Sequence, residues 1–135
     1  VQLFCYGTLM LPDVWVKVVG RQAESVDAFV MNYACRRLRG VKYPGLRPQV
    51  GARTAGTLYR GVDERDLERL DRYEGEAYQR RLLPVWLASR KREMAWCYTL
   101  RKPHLRRLTQ ETWSAEHFAR HHLKAYLEVC QSRRR

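Results

Sequence analysis

Apolar and polar positions alternate with the period of a strand over most of the chain. Leu3, Phe4 and Tyr6 form a short apolar strand that stops at Gly7. Over residues 24–33, Val26, Ala28, Val30 and Asn32 fall on one side while Phe29 and Met31 fall on the other, and residues 33–38 continue or pair with that strand. Residues 52–59 read as strand again, with Gly56 at a bulge or a point of close backbone approach. Residues 78–87 and 93–100 read as a hairpin joined through Ser89–Arg92. Tyr78, Arg80, Leu82, Pro84 and Trp86 share one face, as do Met94, Trp96 and Tyr98. Pro84 cannot donate to a ladder, which moves its strand towards a sheet edge or a bulge.

Helical spacing is confined to three places. Asp63 caps a stretch in which Leu67, Leu70 and Tyr73 recur on one face, and Gly75 is the expected stop. After Leu11-Pro12-Asp13, four valines favour a strand, but a proline in the first turn and Gly20 at the end favour a short helix, the reading adopted. The last helix is capped by Ser114, with Trp113 stapled onto Phe118 and an apolar stripe of Ala119, Leu123, Tyr126, Leu127 and Cys130. A frayed basic tail over residues 132–135 follows. Residues 40–48 hold two glycines and two prolines and are expected to be loop, while residues 101–107 form a basic connector. With no repeat and no linker, residues 1–135 read as a single domain with a basic C-terminal region at about 113–135. Strands outnumber helices and mostly follow one another. The expected class is α+β, a mixed sheet or small barrel with helices against it.

Composition narrows the function. Hydrophobic residues make up 45% and charged residues 30%, a globular balance. No apolar run approaches the ~20 residues that span a bilayer, so no membrane association is expected, and residues 1–6 read as a strand rather than a signal peptide. The net charge of +12 raises nucleic acid or an acidic surface as a partner. The arginines are dispersed, however, and no long basic block carries interleaved aromatics. A solvated basic surface is the favoured reading and nucleic acid the less favoured one. Cys5, Cys35, Cys97 and Cys130 contain no CxxC spacing, which fits reduced thiols in a cytoplasmic protein. His117 and His121 share a helix face, but no third ligand stands at useful spacing, so neither metal nor other cofactor is expected. Serine-hydrolase and phosphate-loop motifs are absent from the sequence.

The chemistry that remains lies at the corner between the second helical stretch and the hairpin. Glu74 stands directly before Gly75, with Tyr73 and Tyr78 on either side. A carboxylate at the last turn of a helix is opposed by the helix dipole, and aromatic neighbours withdraw it from water. Both effects raise a carboxylate pKa towards the range of a general base. A solvated helix end is the other reading of the same residues, and local pattern alone leaves both standing.

An ordered set of motifs separates them. Tyr6-Gly7-Thr8-Leu9 follows the first strand; Tyr43-Pro44-Gly45, Gly56-Thr57-Leu58-Tyr59 and Leu70-Asp71-x-Tyr73-Glu74-Gly75-x-x-Tyr78-x-Arg80 come after it in that order. The set resembles the gamma-glutamylcyclotransferase-like superfamily, in the branch that includes AIG2-like proteins and gamma-glutamylamine cyclotransferases. The resemblance implies a small barrel-like mixed sheet with flanking helices and a cavity at one end. It implies that Tyr6, Gly7, Thr8 and Leu9 line that cavity and offer backbone N–H groups to a small-molecule gamma-glutamyl substrate. Glu74 would be the catalytic acid/base, releasing 5-oxoproline and a free amine, with Tyr78 and Arg80 orienting Glu74 or the substrate. A non-catalytic ligand-binding relative and a basic interaction module are the alternatives. After Leu9 this chain has Met10-Leu11-Pro12 where relatives often carry a polar or charged residue. Choice of the amine half is expected to lie in loops such as residues 10–15 and 41–47.

Overall fold

A computed structural model describes the backbone of residues 1–134 and the side chains of residues 1–129. The elements in chain order are β1 (Leu3–Cys5), a 3-10 turn (Thr8–Met10), α1 (Pro12–Val19), β2 (Ser25–Leu38), β3 (Pro44–Tyr59), α2 (Glu64–Glu74), β4 (Tyr78–Leu87) and β5 (Arg92–Leu100). A second 3-10 segment (Lys102–Arg107), β6 (Leu108–Thr112), α3 (Ala115–His121) and α4 (Leu123–Arg134) complete the chain. Strands run in the order β3-β1-β5-β4-β2, and pairing of β2 with β3 closes them into a five-stranded barrel, with β6 added alongside β2. The β1–β5 pair is parallel and all others are antiparallel. The expected α+β barrel-like sheet with flanking helices is therefore what forms.

Two apolar layers hold it. Phe4, Tyr6, Ala28, Val30, Leu46, Leu58, Leu83, Val85, Ala95 and Cys97, drawn from or just beyond all five barrel strands, fill the interior. On the outer face, Leu3, Cys5, Tyr59, Tyr78, Tyr98 and Leu100 meet α1 and α2 through Val14, Trp15, Val18, Leu67, Leu70 and Tyr73. Trp15 stacks on Tyr59 with ring centroids 3.7 Å apart. Period-2 alternation is thus satisfied twice, by a barrel interior and by a helix-covered exterior.

Helix α2 shows how local signals add. Asp63 and Asp66 form a reciprocal cap in which each side chain accepts from the other's backbone N–H, at 2.9 and 3.0 Å. Asp66 is 3% exposed and also pairs with Arg21. Leu67, Leu70 and Tyr73 are buried, each stabilising the packing by roughly 1.5–3 kcal/mol. Gly75, at φ 77°, ends the helix and gives its N–H to the Asp71 carbonyl at 3.0 Å. Asp66→Ala should therefore lower stability by about 1–3 kcal/mol, through loss of the cap and of the Arg21 partner. A denaturant melt reads this directly, and an unchanged midpoint would contradict it.

The short helix after Pro12 forms as expected, with Gly20 at φ 90° as its left-handed terminus. The hairpin forms with Arg80 opposite Tyr98, Leu82 opposite Trp96 and Pro84 opposite Met94. Pro84 lies where β4 has β5 on one side only, because β2 joins at Trp86 and Leu87. Gly56 is a close-approach point, since a Cβ there would stand 2.4 Å from the Cys5 carbonyl oxygen.

Three expectations are corrected. Residues 44–48 are strand, not loop: β3 begins at Pro44, the first position of a strand where a missing N–H is tolerated. Gly45 serves packing rather than turning, since a Cβ there would lie 2.4 Å from Leu100 Cδ1. Pro48 borders a bulge at Asn32, whose φ is 68° and whose Oδ1 accepts from Gly51 N–H. Part of the basic connector is ordered as the 3-10 segment, and β6 follows it against β2. The last helix breaks at His122 into α3 and α4. Ser114 caps α3, and Trp113 meets Phe118 with centroids 5.9 Å apart, as expected. Phe118 anchors α3 in the core, while Leu123, Tyr126 and Leu127 of α4 reach the layer formed with α1 and α2. The place of Cys130 in the apolar stripe and the tail at residues 132–135 lie outside the described side chains. Among the described residues no helix is long and apolar enough to cross a membrane.

Candidate active site

A cavity opens at the end of the barrel where β1 runs out. Its walls are Phe4, Cys5, Tyr6, the Gly7–Leu9 loop, Tyr43, Pro44, Tyr73, Glu74, Tyr78, Tyr98 and Tyr126. Glu74 is half-buried there, the sole charged side chain lining the cavity among the described residues. Of the residues singled out in the sequence, Tyr6, Gly7, Thr8, Leu9, Glu74 and Tyr78 are brought together. Arg80 is not among the lining residues. It shares a strand face with Tyr78 as its alternation required, but its Nε and a terminal nitrogen donate to Asp71 at 2.7 and 3.2 Å, and its guanidinium lies 5.0 Å from the Trp96 ring centroid.

Each wall is held by its own bonds. The loop turns at Gly7, whose carbonyl accepts from Met10 N–H, while the Thr8 carbonyl accepts from Leu11 N–H, both at 3.0 Å. Among the described residues, the Thr8 and Leu9 N–H groups have no backbone acceptor, as at the start of any helical turn. Gly7 faces the Pro44 ring, and a Cβ would come within 3.2 Å of it. Tyr59 donates its hydroxyl to the Leu9 carbonyl at 2.6 Å, fixing the far end of the loop. Thr8 Oγ1 shares a hydrogen bond with the Tyr73 hydroxyl at 2.8 Å, linking the loop to α2 across 65 residues of chain. Tyr73 in turn bonds the Tyr126 hydroxyl. Tyr6 donates to the Tyr98 carbonyl at 2.7 Å and Tyr78 to the Pro44 carbonyl at 2.6 Å. Tyr98 donates to Asp71 Oδ1 at 2.6 Å, so the ion pair that engages Arg80 also steadies a wall of the cavity.

The electrostatics agree with this bonding. Burial pushes the phenols of Tyr6, Tyr73, Tyr78 and Tyr98 above the ordinary tyrosine range, and the negative charge of Glu74 adds to the shift at all four. They stay protonated at neutral pH; Tyr6, Tyr78 and Tyr98 serve as donors, and Tyr73 shares its bonds with the Thr8 and Tyr126 hydroxyls. Burial also raises the thiols of Cys5 and Cys97, again with Glu74 contributing, and pushes Cys35 up to about 12. None of these three cysteines is a thiolate near neutrality, which removes them as nucleophiles. The cavity has a volume of about 50 Å³, room for a few waters.

Sequence reasoning missed Phe4, Tyr98 and Tyr126 as wall residues. Tyr98 was legible in principle, because it shares a strand face with Trp96 and pairs opposite Arg80. Tyr126 carried only the signal of a helix stripe.

A small closed barrel with a tyrosine-walled cavity at its end, floored by a glycine loop and a helix-terminal glutamate, is the architecture of a cyclotransferase-like protein. The profile of the gamma-glutamyl cyclotransferase, AIG2-like family matches residues 3–115, and the chain belongs to that family. It is similar to AIG2-like protein C of Arabidopsis thaliana, 31% identical over 85 residues that make up 63% of this chain and 49% of the relative. The chain spans about half the length of the first curated relatives it matches. A solution structure of another Arabidopsis thaliana protein superposes with a TM-score of 0.73 at 27% identity, covering 95% of this chain and 86% of that one. A yeast gamma-glutamyl cyclotransferase specific to glutathione superposes with a TM-score of 0.60 at 12% identity, over 99% of this chain and 95% of that one, a likeness of fold alone.

Proposed function

We propose that the protein converts a gamma-glutamyl amide to 5-oxoproline and a free amine, with Glu74 as general acid/base. One observation carries this: Glu74 and the Gly7–Leu9 loop, far apart in sequence, line the same cavity. In the reaction the Glu74 carboxylate takes a proton from the substrate's α-ammonium. The freed nitrogen attacks the γ-carbonyl carbon, closing the five-membered ring. The amide C–N bond then breaks as the proton held by Glu74 passes to the departing nitrogen, and the ring nitrogen gives up its second proton by way of the freed Glu74 carboxylate, leaving the neutral lactam and the amine as its ammonium. Ring closure is intramolecular, so the site's main tasks are to hold the curled conformer and to move protons between the two nitrogens. In this reading backbone N–H groups at Gly7 to Leu9 receive the α-carboxylate or the developing oxyanion. Tyr59 and Tyr78 donate their hydroxyls to the Leu9 and Pro44 carbonyls and Tyr73 shares a hydrogen bond with Thr8 Oγ1, so their role is to fix the walls. Arg80 acts through Asp71 and Tyr98 rather than on the substrate. Unreactive buried thiols suit a reducing, cytoplasmic setting.

The test is 5-oxoproline release from a panel of gamma-glutamyl amides, followed by chromatography. Turnover of at least one member is expected. Binding of panel members without any release would instead make the protein a non-catalytic relative that keeps the pocket.

A further inference from the structure

The matched family region ends at residue 115, yet one wall of the cavity comes from beyond it. Tyr126 stands on α4, a helix that packs on α1 and α2 outside the barrel. Its hydroxyl meets that of Tyr73, the residue directly before Glu74. Its ring lies edge-on to Tyr73, with centroids 6.4 Å apart and planes at 83°. On its other side it lies edge-on to Phe118, at 5.0 Å and 80°.

Phe118 fixes this arrangement to the rest of the fold. It is 1% exposed and touches Trp113, whose indole N–H donates to the Lys42 carbonyl at 2.7 Å. Lys42 precedes Tyr43 and Pro44, which are also cavity walls. The C-terminal segment therefore grips one wall through Trp113 and supplies another through Tyr126. With that ring in place the cavity is small, about 50 Å³.

We propose that Tyr126 is a specificity-determining residue, which limits the amine half of the substrate to a slender group by walling the cavity beside Tyr73 and Glu74. This rests on the cyclotransferase reading for the identity of the substrate. The glutamyl half has to engage Glu74 and the Gly7–Leu9 loop, whereas the amine half has to fit the remaining walls, among which are Tyr73 of α2 and Tyr126 of α4. The chain thus takes its substrate range from a helix that the family's matched region does not include.

The experiment compares L-γ-glutamyl methylamide with L-γ-glutamyl benzylamide in the wild type, Tyr126→Ala and Tyr126→Phe. Tyr126→Leu keeps apolar packing against Phe118 and replaces Ala should that variant fail to fold. The ratio of KM for benzylamide to KM for methylamide is expected to fall at least about tenfold in the Ala or Leu variant, the scale on which pocket size discriminates substrates. Tyr126→Phe, which keeps the ring, should leave the ratio within about twofold of wild type. Calorimetric titration of the same amides in a Glu74→Gln background reads the size rule without turnover. A relaxed size preference in binding, with no 5-oxoproline formed by the parent, retains the Tyr126 assignment and ends the cyclotransferase reading. Turnover with an unchanged ratio, or a Phe variant that behaves like Ala, overturns the Tyr126 assignment and leaves the reaction standing. Failure of both amides to bind any form ends both.

Discussion

Glu74→Gln is expected to lower kcat for 5-oxoproline release by about 10²–10⁴-fold, the usual contribution of a positioned proton-transfer group. The substitution keeps the shape of the side chain at the end of α2 and removes its ability to take a proton. Ligand affinity should persist, because the loop at Gly7 to Leu9 and the tyrosine walls are untouched. The loss would therefore fall in kcat rather than in KM, the pattern of an interaction needed only in the transition state. A thermal melt close to wild type is part of the prediction, since Gln keeps the size and polarity of the side chain. Glu76, exposed and past the terminating Gly75, is the internal control: Glu76→Gln should retain the parent rate. Undiminished release from the Glu74 variant would end the proposed mechanism.

Gly56→Ala should be among the most damaging single changes to stability, at about 3 kcal/mol, the upper end of ordinary overpacking. A Cβ at this position would lie 2.4 Å from the Cys5 carbonyl oxygen and 2.6 Å from the Phe4 ring. The first of these is backbone inside the β1–β3 ladder and cannot rotate away. For a chain of this size the melting temperature should drop by about 10 °C. Phe4 and Cys5 also line the cavity, so the lesion should appear in KM as well as in the melt. Gly51→Ala offers the contrast. That glycine has φ +86° and nothing within 4 Å of its added Cβ, so its cost is conformational only, about 1 kcal/mol. A melt that ranks the two in the opposite order would refute the packing argument.

Helix α2 could be read from the chain because its cap, apolar spacing and terminating glycine all point to the same boundaries. The paired faces of the β4–β5 hairpin were legible for the same reason. Pro44-Gly45 misled because it is a turn signal locally, whereas the reason for Gly45 is Leu100, on a strand far along the chain. The break at His122 has no proline or glycine to announce it. β6 is short and polar, and only its pairing with β2 makes it a strand. In the cavity, Glu74 was visible as an oddly placed carboxylate, but its juxtaposition with Gly7 came from the ordered motifs. Tyr126 was read as helix packing, because nothing in an amphipathic stripe says which of its members faces a hole.

The placing of β1 between β3 and β5 also sets the order in which the molecule is built during synthesis. β1 has antiparallel company once Tyr59 is made, but its parallel partner Trp96 arrives much later. At ordinary elongation rates the 37 residues between Tyr59 and Trp96 take about 2–7 s. Throughout that time Leu3, Phe4 and Cys5 belong to an open sheet with one bare edge, and the cavity they will line lacks Tyr98 and Tyr126. The walls from Phe4 to Leu9 are the earliest part of the site to be translated and among the last to be enclosed.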